Sequence, residues 1–329
     1  MLVSSVTDIL FAISIPIFVA VELTALIVLL FLLQRPLHGV SIENAAVPEI
    51  LQSKTFTHPY PDASMTLPAL VVILIGYWMG SGLTVYAVED GVVTARDSSG
   101  FSWSHGDARV FNWHPLLMSF GFVFCSMQAA LAYVSLPFSH AANKRIHLSL
   151  HALGFLSAVL GAVAVFRFHN EHGITNLYSL HSWLGLGVLI LFSAHVRGAL
   201  LLEWLGSFVV FFYPGAEKDV RASIAPYHIG IGLSIVGLVV ATVEGGILEK
   251  LAFNSSCNVS GELNGEAVKG YMAPDCVLGN VIGLLVALTL PALVVTIWHA
   301  KLKEPVKQVG DERTPLLGSS GDENTEMSV

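Results

Sequence analysis

The chain is 329 residues long, 54% hydrophobic and 12% charged, with a formal net charge of −8 and a mean hydropathy of +0.69. Those values exclude a soluble globular domain, and the acidic balance suits no nucleic-acid partner. The charge is also uneven. Glu304–Val329 alone holds six acidic and two basic residues, in a Gly-, Ser-, Asp- and Glu-rich stretch of the kind that stays disordered.

Seven apolar stretches are long enough to cross a bilayer: 8–33, 68–88, 114–136, 147–166, 180–202, 226–248 and 278–299. About 20 helical residues suffice for one crossing. An open chain satisfies its backbone in hydrocarbon only as helix, so the expected fold is an all-α polytopic membrane protein set in lipid. The first stretch lacks the basic leader and small-residue cleavage site of a signal peptide and reads as a retained helix. Its Glu22 is a carboxylate inside the membrane, where charge is costly and often functional. The chain then divides into an extra N-terminal membrane helix (1–34), a cytosolic linker (35–67), a six-helix core (68–302) and a disordered cytosolic tail (303–329).

Basic residues in short loops mark the cytosolic side. Lys144 with Arg145, Lys218 with Arg221, and Lys301, Lys303 and Lys307 fall on one side by parity. The C-terminus is therefore expected in the cytosol, and loops 89–113, 167–179 and 249–277 in a lumen. The last of these loops carries glycosylation sequons at Asn254 and Asn258, and also Cys257 and Cys276, two of the three cysteines. An oxidising compartment suits both a glycan and a disulfide. The third cysteine, Cys125, lies mid-span and reads as a small apolar residue.

Four histidines, His114, His147, His181 and His228, open four successive spans. By parity His114 and His181 enter from the lumen, and His147 and His228 from the cytosol. Paired neutral imidazoles at two depths are what two haems b need, and a closed bis-histidine site favours electron transfer over oxygen chemistry. An alternative scheme places both ligands of one helix 14 residues apart. His181 and His195 have that spacing, but Gln128, Gly161 and Thr242 stand 14 residues after His114, His147 and His228, so the scheme lacks partners. His195 then reads as a buried hydrogen-bonding residue. His151, one turn after His147 on the same face, rivals His147 as the cytosolic ligand.

The sequences FNWHPLLM around His114, KRIHLSLH around His147, NLYSLHSW around His181 and APYHIG around His228 resemble the cytochrome b561 family of transmembrane ascorbate-dependent reductases, over residues 68–302. The resemblance implies a six-helix bundle, usually a homodimer, in which four middle helices hold two b haems. It implies electrons taken from cytosolic ascorbate and delivered to a lumenal acceptor, either ferric iron or monodehydroascorbate. It assigns Lys144 and Arg221 to the cytosolic ascorbate and haem-propionate mouth, where cationic groups suit anions. On the lumenal side it assigns His169 to acceptor binding, and Asn176, Tyr178 and Glu249 to the surroundings of the haem. The chain departs from the family where Tyr133 and Val134 replace a frequent arginine and where His140 replaces a lysine.

In the tail, Glu312 followed by Leu316 and Leu317 has the acidic-dileucine form that a sorting adaptor reads when it is exposed and cytosolic. It resembles the tail of the family's lysosomal branch and implies a late-endosomal or lysosomal membrane. The alternative function is a haem-free transporter using histidines as proton relays. That would gather polar residues at mid-membrane, whereas these histidines cluster at helix mouths.

Overall fold

The computed structural model describes residues 63–81, 85–96, 98–197 and 217–302. The first apolar stretch with Glu22, most of the linker, the segment 198–216, and the tail with Glu312, Leu316 and Leu317 lie outside the described residues. Helix α1 spans Ala63–Gly80, followed by strands β1 (Val85–Glu89) and β2 (Val92–Arg96). A 3-10 turn (Ala108–Asn112) leads into α2 (Trp113–Met118), which passes through a π-helical segment (Ser119–Cys125) into α3 (Ser126–Ser135). Next come α4 (His140–His172), α5 (Leu180–Arg197), α6 (Lys218–Phe253), β3 (Val259–Leu263), β4 (Glu266–Tyr271) and α7 (Pro274–Leu302).

Five helices among the described residues are long and apolar enough to cross a membrane: Ala63–Gly80, Ala108–Ser135, His140–His172, Asp219–Phe253 and Pro274–Ala300. Leu180–Phe192, within α5, is a shorter apolar helix. Exposed residues such as Ile73, Leu156, Leu284 and Val295 point outward from the bundle. Lipid is their natural solvent, because hydrocarbon accepts apolar side chains at no cost. The inner faces meet in one core that includes Val71, Met127, Val240, Ile282 and Leu293.

Several boundaries differ from the sequence expectation. The span expected at 68–88 is a helix over Ala63–Gly80. It ends at Gly80, and Val85–Glu89 is a strand, so glycine punctuation outweighs apolar continuity there. Helices α4 and α6 start well before the expected 147 and 226, so His147 and His228 lie inside their helices instead of opening them. Capping explains the first: the Ser139 hydroxyl accepts the Ala142 N–H, and Asn143 donates to the carbonyls of Leu136 and Phe138.

Helix α4 packs along the α2–α3 rod, α1 lies against α7, and α6 packs against α5 and α7. The α4 crossing is a backbone contact. A Cβ on Gly121, in the π segment, would stand 2.4 Å from the Gly154 carbonyl, and one on Gly154 would stand 2.7 Å from that of Gly121. Only glycine permits such an approach, the small-residue device of membrane helix pairs.

One end of the bundle carries a four-stranded sheet, order β1-β2-β3-β4, assembled from two loops far apart in sequence. Each hairpin turns through two residues of positive φ, Asp90-Gly91 and Asn264-Gly265. These are the Asp-Gly and Asn-Gly pairs that two-residue hairpin turns require. β2 and β3 meet in parallel at Val92 and Glu262, and the Glu262 N–H donates to the Gly91 carbonyl. Loops 89–113 and 249–277 therefore lie on one side of the bundle, in agreement with their parity. Cys257 and Cys276 are disulfide-bonded, with Cα atoms 5.1 Å apart. Asn258 is exposed, whereas the side-chain nitrogen of Asn254 is closed off from solvent.

The third loop at this end, 173–179, closes onto the same side. Asn112 is buried and its amide donates to the carbonyls of Ser98 and Gly100, at 2.7 and 2.8 Å, fastening the loop after β2 to the start of α2. Glu171, at the end of α4, accepts from the Gly106 N–H and from Arg167, and pairs with His105. The Asp107 carboxyl caps the 3-10 turn, and the hydrogen bonds from Arg109 hold its pKa well below the usual carboxylate range.

Candidate functional site

The four singled-out histidines meet in twos. The rings of His114 (α2) and His181 (α5) have centres 6.1 Å apart and planes at 87°. Those of His147 (α4) and His228 (α6) have centres 6.1 Å apart and planes at 60°. A metal–imidazole bond is about 2.0–2.1 Å long and a ring centre lies roughly 1.1 Å behind its nitrogen, so two imidazoles across one ion have centres about 6.3 Å apart. Both pairs have that separation. His151 also touches His147, but with ring centres 4.5 Å apart the two are too close to share an ion between them, and His151 packs on Phe192 instead.

Three of the four rings are oriented by backbone carbonyls. The Nδ1 of His114 lies 3.1 Å from the Gly161 oxygen, that of His147 2.8 Å from the Ala129 oxygen, and that of His181 2.7 Å from the Thr242 oxygen. A carbonyl only accepts, so each Nδ1 carries the proton and Nε2 is left with its lone pair. That is the tautomer a metal-binding histidine needs, with the second nitrogen fixed by a hydrogen bond. The residues present therefore fit a bis-imidazole iron group.

Gly161 stands 14 residues after His147 on α4, and Thr242 stands 14 residues after His228 on α6. These are the positions a two-ligands-per-helix scheme would fill with histidine. Here each helix offers one imidazole to one pair and one carbonyl to the other, about 21 Å along the axis at 1.5 Å per residue. The two pairs are thus set at two depths. Glycine again makes room: a Cβ on Gly246 would come within 2.8 Å of the His181 ring.

At the sheet end, an open cavity is lined by His114 and His181. Its wall includes His169, Tyr178 and Glu249, three of the residues singled out from sequence. Asn176 does not line it. Instead its side-chain oxygen accepts from His169 at 3.2 Å while its amide donates to Asn170 at 2.9 Å, so it holds His169 in place. The phenol of Tyr178 is pushed above its usual pKa by burial, with the charge of Glu249 adding to the effect. It remains a donor at neutral pH. Leu177, between these residues, has φ 57° and also lines the cavity. A branched side chain seldom adopts that conformation, and it persists only where the surroundings hold it.

Two wall residues had no sequence signal. Phe111 packs 6.1 Å from His114 and 5.4 Å from Phe168, and Lys250 projects its ammonium over Phe111 and Trp78. A helix-end lysine is ordinary in sequence, and only the fold places it beside a histidine pair.

At the opposite end, Lys144 on α4 and Arg221 on α6 are near enough to feel each other's charge. Tyr133, which stands where the resemblance leads one to expect arginine, lies between His140 and His147, with ring centres at 5.3 and 5.5 Å. His195 lies on α5, with its side chain outside the described residues.

The family model for eukaryotic cytochrome b561 matches residues 113–254. The chain is 40% identical over 198 residues to a probable ascorbate-specific transmembrane electron transporter 2 of Oryza sativa subsp. japonica, covering 60% of this chain and 76% of that protein. It is 37% identical over 230 residues to the lysosomal membrane ascorbate-dependent ferrireductase CYB561A3 of Bos taurus, covering 68% and 80%. Similarity to transmembrane ascorbate ferrireductase 1 of Arabidopsis thaliana is 39% over 155 residues, covering 47% and 62%.

Proposed function

Because the chain belongs to the eukaryotic cytochrome b561 family, we propose that it is a transmembrane oxidoreductase that passes electrons from ascorbate on one side of a membrane to an acceptor on the other. The observation that carries this reading is the pair of facing imidazole couples, each with centres 6.1 Å apart, set at two depths of one bundle. Haem b, one group per couple, supplies the one-electron chemistry that no side chain here provides.

The chain's own residues hold, orient and select. His147 and His228 grip one group, and His114 and His181 the other. The carbonyls of Ala129, Gly161 and Thr242 keep the rings of His147, His114 and His181 in the binding tautomer. Lys144 and Arg221 draw the ascorbate monoanion to the opposite end, which the basic loops assign to the cytosol. Oxidation of that monoanion releases a proton as well as an electron, and His140, tilted against Tyr133 at that mouth, is placed to receive it. The sheet end then faces the lumen, and His169, Tyr178 and Glu249 receive the acceptor, ferric iron or monodehydroascorbate.

The cellular setting follows from the same reading. Resemblance to the ferrireductase CYB561A3 of Bos taurus and the dileucine segment at Glu312, Leu316 and Leu317 support a late-endosomal or lysosomal membrane, with the tail read by a sorting adaptor. A homodimer is the expected assembly. Of the two sequons, exposed Asn258 is the better glycan acceptor, since the Asn254 nitrogen is closed off.

The test is direct. Purified protein should show a reduced b-type α-band on adding ascorbate, and proteoliposomes should reduce ferric chelate on the face away from ascorbate. Absence of the band, or full reduction by ascorbate after His147→Ala and His228→Ala, would refute the reading.

A further inference from the structure

Lys250 lies in the last turn of α6, one residue after Glu249 and in the wall of the cavity that holds His114 and His181. Its Nζ sits 5.1 Å from the Phe111 ring centre and 5.7 Å from that of Trp78. It forms no ion pair among the described residues. Asp275, whose charge reaches Lys250, accepts from the Ser256 hydroxyl, and Glu249 lines the cavity with Tyr178. Ring faces attract an ammonium but do not neutralise it, and they leave its three N–H donors without strong acceptors. An amine set among aromatic rings at a cavity wall, in salt-bridge contact with no carboxylate among the described residues, is prepared for an anion that arrives from outside.

We propose that Lys250 is the anion-recognising residue of the sheet-end cavity, donating to a carboxylate or enediolate oxygen bound there. Two sources share that chemistry: a propionate of the group gripped by His114 and His181, and an anionic soluble acceptor. The inference rests on the function proposed above, and it adds a charge preference at the acceptor end that the histidine pairs do not supply. His169, Tyr178 and Glu249 face the same space. Glu249 is acidic, so among the cavity's described lining residues Lys250 is the lysine that favours an anion there.

The experiment uses full-length, haem-loaded protein in proteoliposomes, with ascorbate enclosed and the sheet end outward. The probes are two membrane-impermeant acceptors of opposite charge, ferricyanide and hexaammineruthenium(III). If the anion is the soluble acceptor, Lys250→Met lowers the ferricyanide rate about tenfold relative to the cationic probe, Lys250→Arg restores it, and the midpoint potentials do not move. If the anion is the propionate, Lys250→Met lowers the midpoint potential of one haem and slows both probes alike, and Lys250→Arg reverses both effects. An unchanged ratio of rates together with unchanged potentials overturns the proposal. Should Lys250→Met not accumulate, Lys250→Gln makes the same comparison. Wild-type protein without a b-type spectrum would instead sink the function itself, and that is seen before any variant is made.

Discussion

The two ends of the bundle hold the same pair of imidazoles in opposite surroundings. At the sheet end, His114 and His181 are each the second residue of their helices, beneath loops that are themselves folded. Two hairpins share a sheet, a disulfide closes one loop, and Asn112 and Glu171 pin the others. At the opposite end, His147 is seven residues into α4 and His228 ten residues into α6, so the helices project beyond the pair and carry Lys144 and Arg221 on those outer turns. A walled cavity selects by shape and by a placed charge. Cations on projecting helix turns capture an anion with less shape demand. Under the proposed function, the difference suits a carrier that takes its donor at the projecting helix turns and selects its acceptor in the walled cavity.

Removing ligands is the strongest way to break the comparison. His181→Ala should halve the b-type absorbance while ascorbate still reduces what remains, because the donor end is intact. His147→Ala should also halve it, but the remaining haem should no longer be reduced within the time of the wild-type reaction. Both variants should stop ferric reduction across proteoliposomes. Equal behaviour of the two variants toward ascorbate would remove the functional difference between the ends. Gly246→Val comes next. Its side chain meets the His181 ring, whose nearest atom lies 2.8 Å from the added Cβ, so the sheet-end haem should be lost or weakly held and the other should be spared. Haem content and ascorbate-reduced spectra measure both.

At the donor mouth the effect is smaller. Lys144→Gln and Arg221→Gln each remove one charged hydrogen-bond donor to an anion, a loss of about 1.5–3 kcal/mol, so KM for ascorbate should rise roughly tenfold or more. The rate at saturating ascorbate and the haem content should stay near wild type. A fall in haem content without a change in KM would show that these cations serve the bound group and not the donor.

Much of this arrangement was legible in the sequence, and the rest was hidden for specific reasons. Parity and the spacing of His114, His147, His181 and His228 led to the two couples, because helix ends in a membrane alternate sides. The carbonyl partners were not legible: Gly161 and Thr242 look like gaps in a histidine pattern, since a backbone oxygen leaves no mark in a side-chain code. The choice between His147 and His151 needed ring separations. The sheet was missed although its signals were present. Asp90-Gly91 and Asn264-Gly265 are hairpin-turn pairs, but apolar continuity drew the expected second span over most of β1. Lys250 was invisible because a lysine at a helix end is common in any membrane protein.

The smallest effect on electron passage is expected where the sheet end is loosened without touching a ligand. Cys257→Ser with Cys276→Ser opens a loop of sequence separation 19, for which loop-closure entropy predicts a stability loss of about 3 kcal/mol. That loop joins α6, which carries His228 and the Thr242 carbonyl, to α7, and its hairpin pairs with the other lobe of the sheet. The long helices and their lipid-facing sides are unaffected, so the bundle should still assemble and bind its cofactors. The thermal midpoint should fall by roughly 5–10 °C, while ascorbate reduction at the opposite end stays unchanged and the acceptor rate drops no more than about twofold. A large loss of ascorbate reduction in this variant would mean that the ends are mechanically one unit, and that the folded loops support the whole bundle instead of one cavity.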